Sequence, residues 1–180
     1  MKGLILYQGK YGATLQYAEW LAEALHLPVR TADQVTEQAL AEAEYLLLGT
    51  SVYLGKFTLR DWLQKHATAL SGKKLFLFVV SGLPAGDAAR QAEYLADNVP
   101  AVIRPQLEVH YLPGRLRYGK LSWPDKLRCR IGALLTRDPQ MQASLRTEYN
   151  GVKKEHLLPL LEAAGQPNPA PATEAPAVFS

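Results

Sequence analysis

The residues best suited to chemistry lie between Tyr7 and Thr14, in the sequence YQGKYGAT. An apolar run at residues 3–6 precedes them and predicts a buried strand, and a helix-period segment begins at Thr14. A loop between a strand and a helix aims backbone N–H groups at one point, at the positive end of the helix dipole. Gly9 and Gly12 let the backbone approach a ligand closely, and Thr14 is expected to cap the helix. The stretch therefore predicts an anion pocket that suits a phosphate.

Strand-like and helix-like runs alternate along the rest of the chain. Strands are predicted at residues 3–6, 29–31, 45–49, 74–80 and 107–111, and helices at residues 14–26, 34–42, 57–70, 88–98 and 154–164. This alternation indicates a doubly wound α/β sheet, whose right-handed crossovers place every strand-to-helix loop on one edge. Ligands bind outside the carboxyl ends of such strands, so the loops at residues 50–56 and 81–87 are expected to join the first loop in one site.

Composition limits the alternatives. A chain of 180 residues that is 48% hydrophobic favours one domain with one core. The single cysteine, Cys129, cannot form an internal disulfide, and the opening MKGLILYQGK is too briefly apolar for a signal peptide, so we expect a cytoplasmic protein. No apolar stretch is long enough to span a membrane, so any membrane contact is expected to be peripheral.

Hydrolytic and metal-dependent functions have little support in the sequence. It contains no Cys-x-x-Cys or His-x-x-x-His motif and no Ser-His-Asp arrangement, and its four histidines are scattered. His66 and Cys129 lie in predicted helices, where a packed or surface side chain is the simpler interpretation. We therefore expect no metal site, and we expect no nucleic-acid partner.

Three motifs in order resemble those of flavodoxin-domain proteins related to menaquinone-dependent protoporphyrinogen dehydrogenase. They are KYGxTxxYAxWLA at residues 10–22, GTSxYxGK at residues 49–56 and GKLSWxDKL at residues 119–127. The similarity runs from Met1 to about Ala164. It implies a flavodoxin-like domain over residues 1–164, with a five-stranded sheet of order 2-1-3-4-5, an insertion at about residues 113–150, and one FMN held non-covalently.

The resemblance also implies which segments contact FMN. The phosphate would lie in the first loop, on Gln8, Gly9, Lys10, Tyr11, Gly12, Ala13 and Thr14. The isoalloxazine ring would lie between the second loop (Thr50, Ser51, Val52, Tyr53, Leu54, Gly55) and the third loop (Ser81, Gly82, Leu83, Gly86, Asp87). Residues of the following segment, Gly114, Leu116 and Tyr118, would form a further wall.

Two features of this implied site can be weighed from the residues. Phosphate loops of the family usually begin with Ser or Thr, whereas this chain has Gln8 and Gly9, so we expect weakened binding that rests on backbone N–H groups, the Thr14 hydroxyl and the charge of Lys10. Tyr53 is either an exposed loop aromatic or a flavin-stacking residue, and its position between loop glycines favours stacking.

An excess of basic over acidic residues is concentrated around the insertion. The net charge of the chain is +3, but residues 103–137 contain eight basic and two acidic residues. A helix at residues 124–137 would align Leu127, Ile131, Leu134 and Leu135 beside Lys126, Arg128, Arg130 and Arg137. Such a helix either packs its apolar stripe on the body of the domain or docks on an anionic membrane or a protein partner. Residues 165–180 are Pro- and Ala-rich, as in disordered tails.

Two classes of function remain open. The first is an FMN-dependent oxidoreductase, with oxidation of protoporphyrinogen by a quinone as the form that the resemblance implies. Its porphyrin propionates would meet Arg115, Arg117 or Lys120. The second is a flavodoxin-type electron carrier that docks redox partner proteins without a small substrate. The basic surroundings of the expected ring edge favour the first class. A domain that binds no flavin is a third alternative.

Overall fold

The computed structural model describes residues 2–82, 87–116, 119, 122–127, 131 and 148–165. Its strands are β1 (Gly3–Gln8), β2 (Val29–Thr31), β3 (Tyr45–Tyr53), β4 (Lys56–Phe57), β5 (Lys74–Ser81) and β6 (Leu107–Pro113). The parallel strands follow the order β2-β1-β3-β5-β6, and β4 pairs antiparallel with β3. With β4 left out, this is the expected order 2-1-3-4-5, so the α/β fold is confirmed. Residues 117–118, 120–121, 128–130 and 132–147 of the insertion and residues 166–180 of the tail lie outside the described residues.

Helices cover both faces of the sheet. The structure contains α1 (Ala13–Leu25), α2 (Glu37–Glu42), α3 (Arg60–Leu70), α4 (Ala88–Asn98) and α5 (Leu158–Gly165). One core cluster lies between the sheet and α2 to α4, and it includes Leu40 and Leu63; the other lies under α1 and α5, and it includes Tyr17 and Leu160. Successive leucines of β3 point to opposite faces of the sheet and pack into the two clusters in turn, which explains why the sequence of this strand is continuously apolar.

The strand register aligns the carboxyl ends of the parallel strands. Gln8 pairs with Thr50, Ser51 pairs with Val80, and Ser81 pairs with Pro113. The residues that follow β1, β3, β5 and β6 therefore meet at one edge of the sheet, as the alternating pattern predicts.

The second expected loop is a β-hairpin. Strand β3 runs on to Tyr53 and returns as β4, through a two-residue turn at Leu54 and Gly55 with φ values of 52° and 75°. Positive φ at both turn residues is typical of the type I′ hairpin, and glycine makes it accessible at the second position. The expectation of an irregular loop over residues 50–56 is therefore wrong, because β3 gains a backbone partner that its own sequence does not reveal.

Two helices begin later than expected. Helix α2 starts at Glu37 because the Thr36 side chain accepts a hydrogen bond from the Ala39 N–H and caps it. Helix α3 starts at Arg60 because the preceding residues belong to the hairpin and its exit. Helix α4 begins and ends where it was expected. The last predicted helix starts as a 3₁₀ turn, Lys154–Leu157, before α5.

A small two-stranded ribbon closes the base of the insertion. Strand β7 (Arg115–Leu116) pairs antiparallel with β8 (Tyr149–Asn150), although more than thirty residues of sequence separate them. Between them, residues 123–127 are helical. Within the described part of the chain, no helix is long and apolar enough to cross a bilayer.

A substitution at Gly49 tests how tightly the two central strands pack. A Cβ at Gly49 would overlap the ring of Phe78, which is fully buried on the neighbouring strand β5 and has no space to turn away. We expect Gly49→Ala to lower the free energy of unfolding by roughly 1–3 kcal/mol through overpacking, measured by urea denaturation. Gly165→Ala is the control, because a Cβ there meets no atom within 4 Å. Equal midpoints for the two variants would contradict the described packing.

Candidate functional site

The first loop leads from β1 into α1 through a left-handed glycine. Gly12 is the N-cap residue of α1, with φ of 78°, and no side chain caps the helix. The expected cap, Thr14, instead lies inside the first turn and is buried, so that expectation is wrong. Its hydroxyl lies under the loop, 2.6 Å from where a Cβ of Gly9 would stand. Gly9 is therefore needed for the loop to pack on Thr14.

The uncapped start of α1 fits an anionic group. The first amides of a helix have no partner within the helix, and a Ser, Thr, Asp or Asn side chain usually caps one of them. Here Gly12 offers no such side chain, so the N-cap residue leaves these N–H groups uncapped at the positive end of the dipole. This arrangement suits the phosphate that the sequence predicts for the loop.

Thr58 joins the first loop to the hairpin, and sequence reasoning missed it. Its hydroxyl donates to the Gln8 carbonyl and accepts a hydrogen bond from the Ser51 N–H at 3.1 Å. The Thr50 hydroxyl lies 3.3 Å from that of Thr58 and accepts from the Leu59 N–H. Thr50 and Ser51 were expected to contact a cofactor, but their hydroxyls are engaged within the protein. The only sequence signal for this network is the row of hydroxyl residues on both arms of the hairpin.

Asn98 supports the hairpin from below. It is buried, its side-chain oxygen accepts from the Phe57 N–H at 2.9 Å, and its amide donates to the Gly55 carbonyl at 3.3 Å. The turn is therefore held from α4, although its tip residue Leu54 is 64% exposed. Val52, on the same hairpin, packs against the core.

A buried carboxylate joins the insertion to the first loop and the hairpin. Asp125 is only 3% exposed, and its carboxylate accepts hydrogen bonds from the hydroxyls of Tyr11 and Tyr53. It also forms an ion pair with the Lys10 ammonium at 2.8 Å and accepts a hydrogen bond from the Ser122 hydroxyl at 2.8 Å. Residues from three distant parts of the sequence thus converge on one negative charge. We call Lys10, Tyr11, Tyr53, Ser122 and Asp125 the Asp125 cluster.

The pKa values in this cluster follow from its contacts. Hydrogen bonds from Lys10, Tyr11 and Tyr53 hold the pKa of Asp125 far below the usual carboxyl range, and they outweigh the opposing effect of burial. Burial works against the ammonium of Lys10, but hydrogen bonding to Asp125 and Tyr53 overcomes it and raises the Lys10 pKa. Both groups are therefore charged at neutral pH.

The cluster changes the roles expected of Lys10 and Tyr53. The Lys10 ammonium lies 3.7 Å from the centroid of the Tyr53 ring, so it covers one face of that ring while it pairs with Asp125. Lys10 is therefore not free to serve as the charge of a phosphate site. Tyr53 has only its other face to offer to a flavin.

The ribbon contacts the start of the third loop, at Ser81 and Gly82. The Gly114 N–H donates to the Ser81 carbonyl at 2.7 Å, and a Cβ at Gly82 would overlap the Tyr149 hydroxyl. The pKa of Tyr149 is raised by burial under this contact. Gly82 thus makes room for Tyr149 rather than only for a ligand. Asp87 caps α4 by accepting from the Arg90 N–H at 3.1 Å.

The expected site residues divide into those that the structure brings together and those that it leaves apart. Gln8, Lys10, Tyr11, Ser51 and Tyr53 are connected through Thr58 and Asp125. Gly114 joins Ser81, and Leu116 lies in the ribbon opposite Tyr149. Leu54 and Asp87 have no described contact with the first loop. Leu83, Gly86 and Tyr118 lie outside the described residues.

The described ranges contain no group of three or more His, Cys, Asp or Glu side chains that could hold a metal ion.

Comparison with known proteins identifies the family. The sequence model of the flavodoxin-domain family matches residues 4–141, which is more than half of the chain. The parallel sheet, with its uncapped helix start at the carboxyl edge, defines a flavodoxin-like protein, and the chain belongs to the flavodoxin-domain family. No curated protein matches the sequence.

Solved structures with related folds share little sequence with this chain. A flavodoxin from the domain Archaea is 20% identical with a TM-score of 0.42, over 81% of this chain and 92% of that one. The Trp repressor binding protein of Bacillus subtilis is 16% identical with a TM-score of 0.44, over 81% and 96%. The two-electron reduced flavodoxin of Megasphaera elsdenii is 19% identical with a TM-score of 0.45, over 59% and 84%.

Replacing Asp125 by Asn tests the cluster. Because the folded pKa of Asp125 is lowered, its charge stabilises the fold above its unfolded pKa of about 4, and this stabilisation is lost as the pH falls. We expect Asp125→Asn to reduce the free energy of unfolding at pH 7 by roughly 1–3 kcal/mol, and the difference from wild type to shrink below about pH 4.

Glu23→Gln is the matched control for this prediction. Glu23 also pairs with a lysine, Lys154, at 2.9 Å, but both side chains are exposed. Such surface pairs contribute little, so this variant should unfold like wild type. Chemical denaturation at several pH values measures both variants. A pH-independent difference between Asp125→Asn and wild type would contradict the role given to the carboxylate charge.

Proposed function

We propose that this protein binds FMN non-covalently and acts as a flavodoxin-like redox protein. The observation that carries the proposal is the uncapped start of α1 behind a left-handed Gly12, at the carboxyl edge of a sheet in a chain of the flavodoxin-domain family. The donors present fit a phosphomonoester, since backbone N–H groups at a helix start favour a compact anion.

Different segments of the chain would bind the phosphate and the ring of the flavin. The amides from Lys10 to Leu15 would hold the phosphate, and the hairpin would form one side of the ring site. The Asp125 cluster would fix the Tyr53 ring, since its hydroxyl and one face are both occupied. The backbone around Ser81 and Gly82, braced by the ribbon, would form the opposite side.

The bound flavin would supply the transfer of one or two electrons, and the protein would supply its position and its electrostatic surroundings. The Asp125 cluster pairs its negative charge with Lys10, so this corner of the site carries little net charge. The backbone groups of the hairpin turn and of the third loop are the chain's means of contacting the polar rim of the ring.

Our finer proposal is a quinone-linked oxidoreductase of the protoporphyrinogen dehydrogenase type, localised in the cytoplasm or peripherally at a membrane. The third sequence motif supports it, because its Asp125 accepts hydrogen bonds from side chains of the other two motifs, Tyr11 and Tyr53, and from Ser122 of its own motif. Beside this anchor, Trp123, Leu127 and Ile131 are exposed at four-residue spacing. In a helix, this spacing would place the three side chains on one face, which supports contact with an apolar acceptor or membrane surface.

The alternative is an electron carrier that docks redox partner proteins. It would need no substrate site, and its partners would be acidic where this chain is basic. Anaerobic oxidation of protoporphyrinogen with menaquinone as acceptor separates the two. We expect turnover if the finer proposal is correct. Fast oxidation of the reduced protein by a haem protein, with no turnover of the porphyrinogen, would support the carrier instead.

The loop glycine provides the test of FMN binding. Gly12→Ala should weaken FMN binding at least tenfold, because φ of 78° is strained for alanine and its Cβ would lie only 3.1 Å from the Arg115 guanidinium. Gly72→Ala is the control, since Gly72 has φ of 81° and open space around it, in the turn between α3 and β5. Titration by quenching of flavin fluorescence measures both. A wild-type protein that does not bind FMN would refute the proposal.

A further inference from the structure

Arg115 is held in place at the mouth of the first loop. It lies in β7, opposite Asn150 of β8. The residue before it, Gly114, forms backbone hydrogen bonds on both sides. The Gly114 N–H donates to the Ser81 carbonyl, and the Gly114 carbonyl accepts from the Gly151 N–H at 3.0 Å. The backbone position from which the Arg115 side chain extends is therefore fixed by both the sheet edge and the ribbon.

The Arg115 side chain reaches the start of α1. Its Nη2 atom lies 3.1 Å from where a Cβ of Gly12 would stand. A side chain at residue 12 would press on the guanidinium, so this glycine both adopts the left-handed conformation and leaves room for Arg115. The guanidinium thus lies beside the uncapped amides of the first helical turn.

This position places two positive groups next to each other. Across the described residues, no carboxylate forms an ion pair with Arg115, and the helix end beside it carries the positive pole of the dipole. The other cation of the loop, Lys10, is committed to Asp125. An arginine beside a helix start, with no described carboxylate to pair with, favours an anion that can bind both groups.

We infer that Arg115 binds the phosphate of the cofactor and makes the protein prefer FMN to riboflavin. This inference rests on the proposed function and names the side chain that sets its cofactor specificity. The planar guanidinium can donate two parallel hydrogen bonds to a phosphate, which a lysine cannot. Arg115 would thereby replace the donors that are lost because Gln8 and Gly9 stand where Ser or Thr would be.

The test compares two flavins that differ only by the phosphate. Dissociation constants for FMN and for riboflavin are measured by fluorescence quenching for wild type, Arg115→Gln, Arg115→Lys and Lys65→Gln. Lys65 is exposed on α3 and controls for the loss of one positive charge. We expect Arg115→Gln to weaken FMN binding by about 10- to 100-fold and riboflavin binding less than about twofold. Arg115→Lys should lie between wild type and Arg115→Gln, and Lys65→Gln should match wild type.

Other outcomes would overturn the inference in distinguishable ways. Unchanged FMN binding by Arg115→Gln, with tight binding by wild type, would overturn the role of Arg115 and leave the proposed function standing. An equal loss of FMN and riboflavin affinity would show that Arg115 supports the fold of the site instead of the phosphate. A wild-type protein that binds neither flavin would overturn this inference and the proposed function together.

Discussion

A carboxylate that is removed from water must be given hydrogen bonds and an opposite charge, and the burial of Asp125 imposes this condition on three separate parts of the chain. Lys10 and Tyr11 come from the first loop, Tyr53 from the hairpin, and Ser122 from the insertion that also carries Asp125. If any of these segments moved away, a buried charge or hydroxyl would lose its partner. This edge of the sheet is therefore assembled around a negative charge of the protein's own, a few residues away from the start of α1.

The sheet makes this convergence possible. Parallel register brings the ends of β1 and β3 side by side, and Thr58 then ties the Gln8 carbonyl to the Ser51 amide across the gap between them. The two cations near the first loop consequently have different partners. Lys10 is neutralised within the protein, whereas Arg115 faces the helix dipole. Of these two cations, Arg115 is thus the one without an ion pair to any described carboxylate.

Much of the fold could be predicted because its determinants are local. Strands β1, β3 and β5 are buried on both faces of the sheet and are therefore continuously apolar. Helices α1 and α4 are buried on one face, so their apolar residues recur at helical spacing. The hairpin was missed because pairing of Val52 with Phe57 depends on a turn whose single glycine, Gly55, is a weak signal. Asp125 was missed as a site residue for a different reason. Its partners are up to 114 residues away in sequence, and nothing in the residues near it shows that it is buried.

The ribbon of β7 and β8 holds the two ends of the insertion together, so the length of the insertion is not tied to the geometry of the rest of the domain. Chain that leaves and re-enters a fold through paired neighbouring strands can change in length at a small entropic cost, because the two attachment points stay fixed. The first residues of this excursion are the exception, since Ser122 and Asp125 are bound to the body of the domain. The stretch between Leu127 and Glu148 can therefore be replaced by a segment of another length or sequence while Ser122 and Asp125 keep their contacts with the body of the domain.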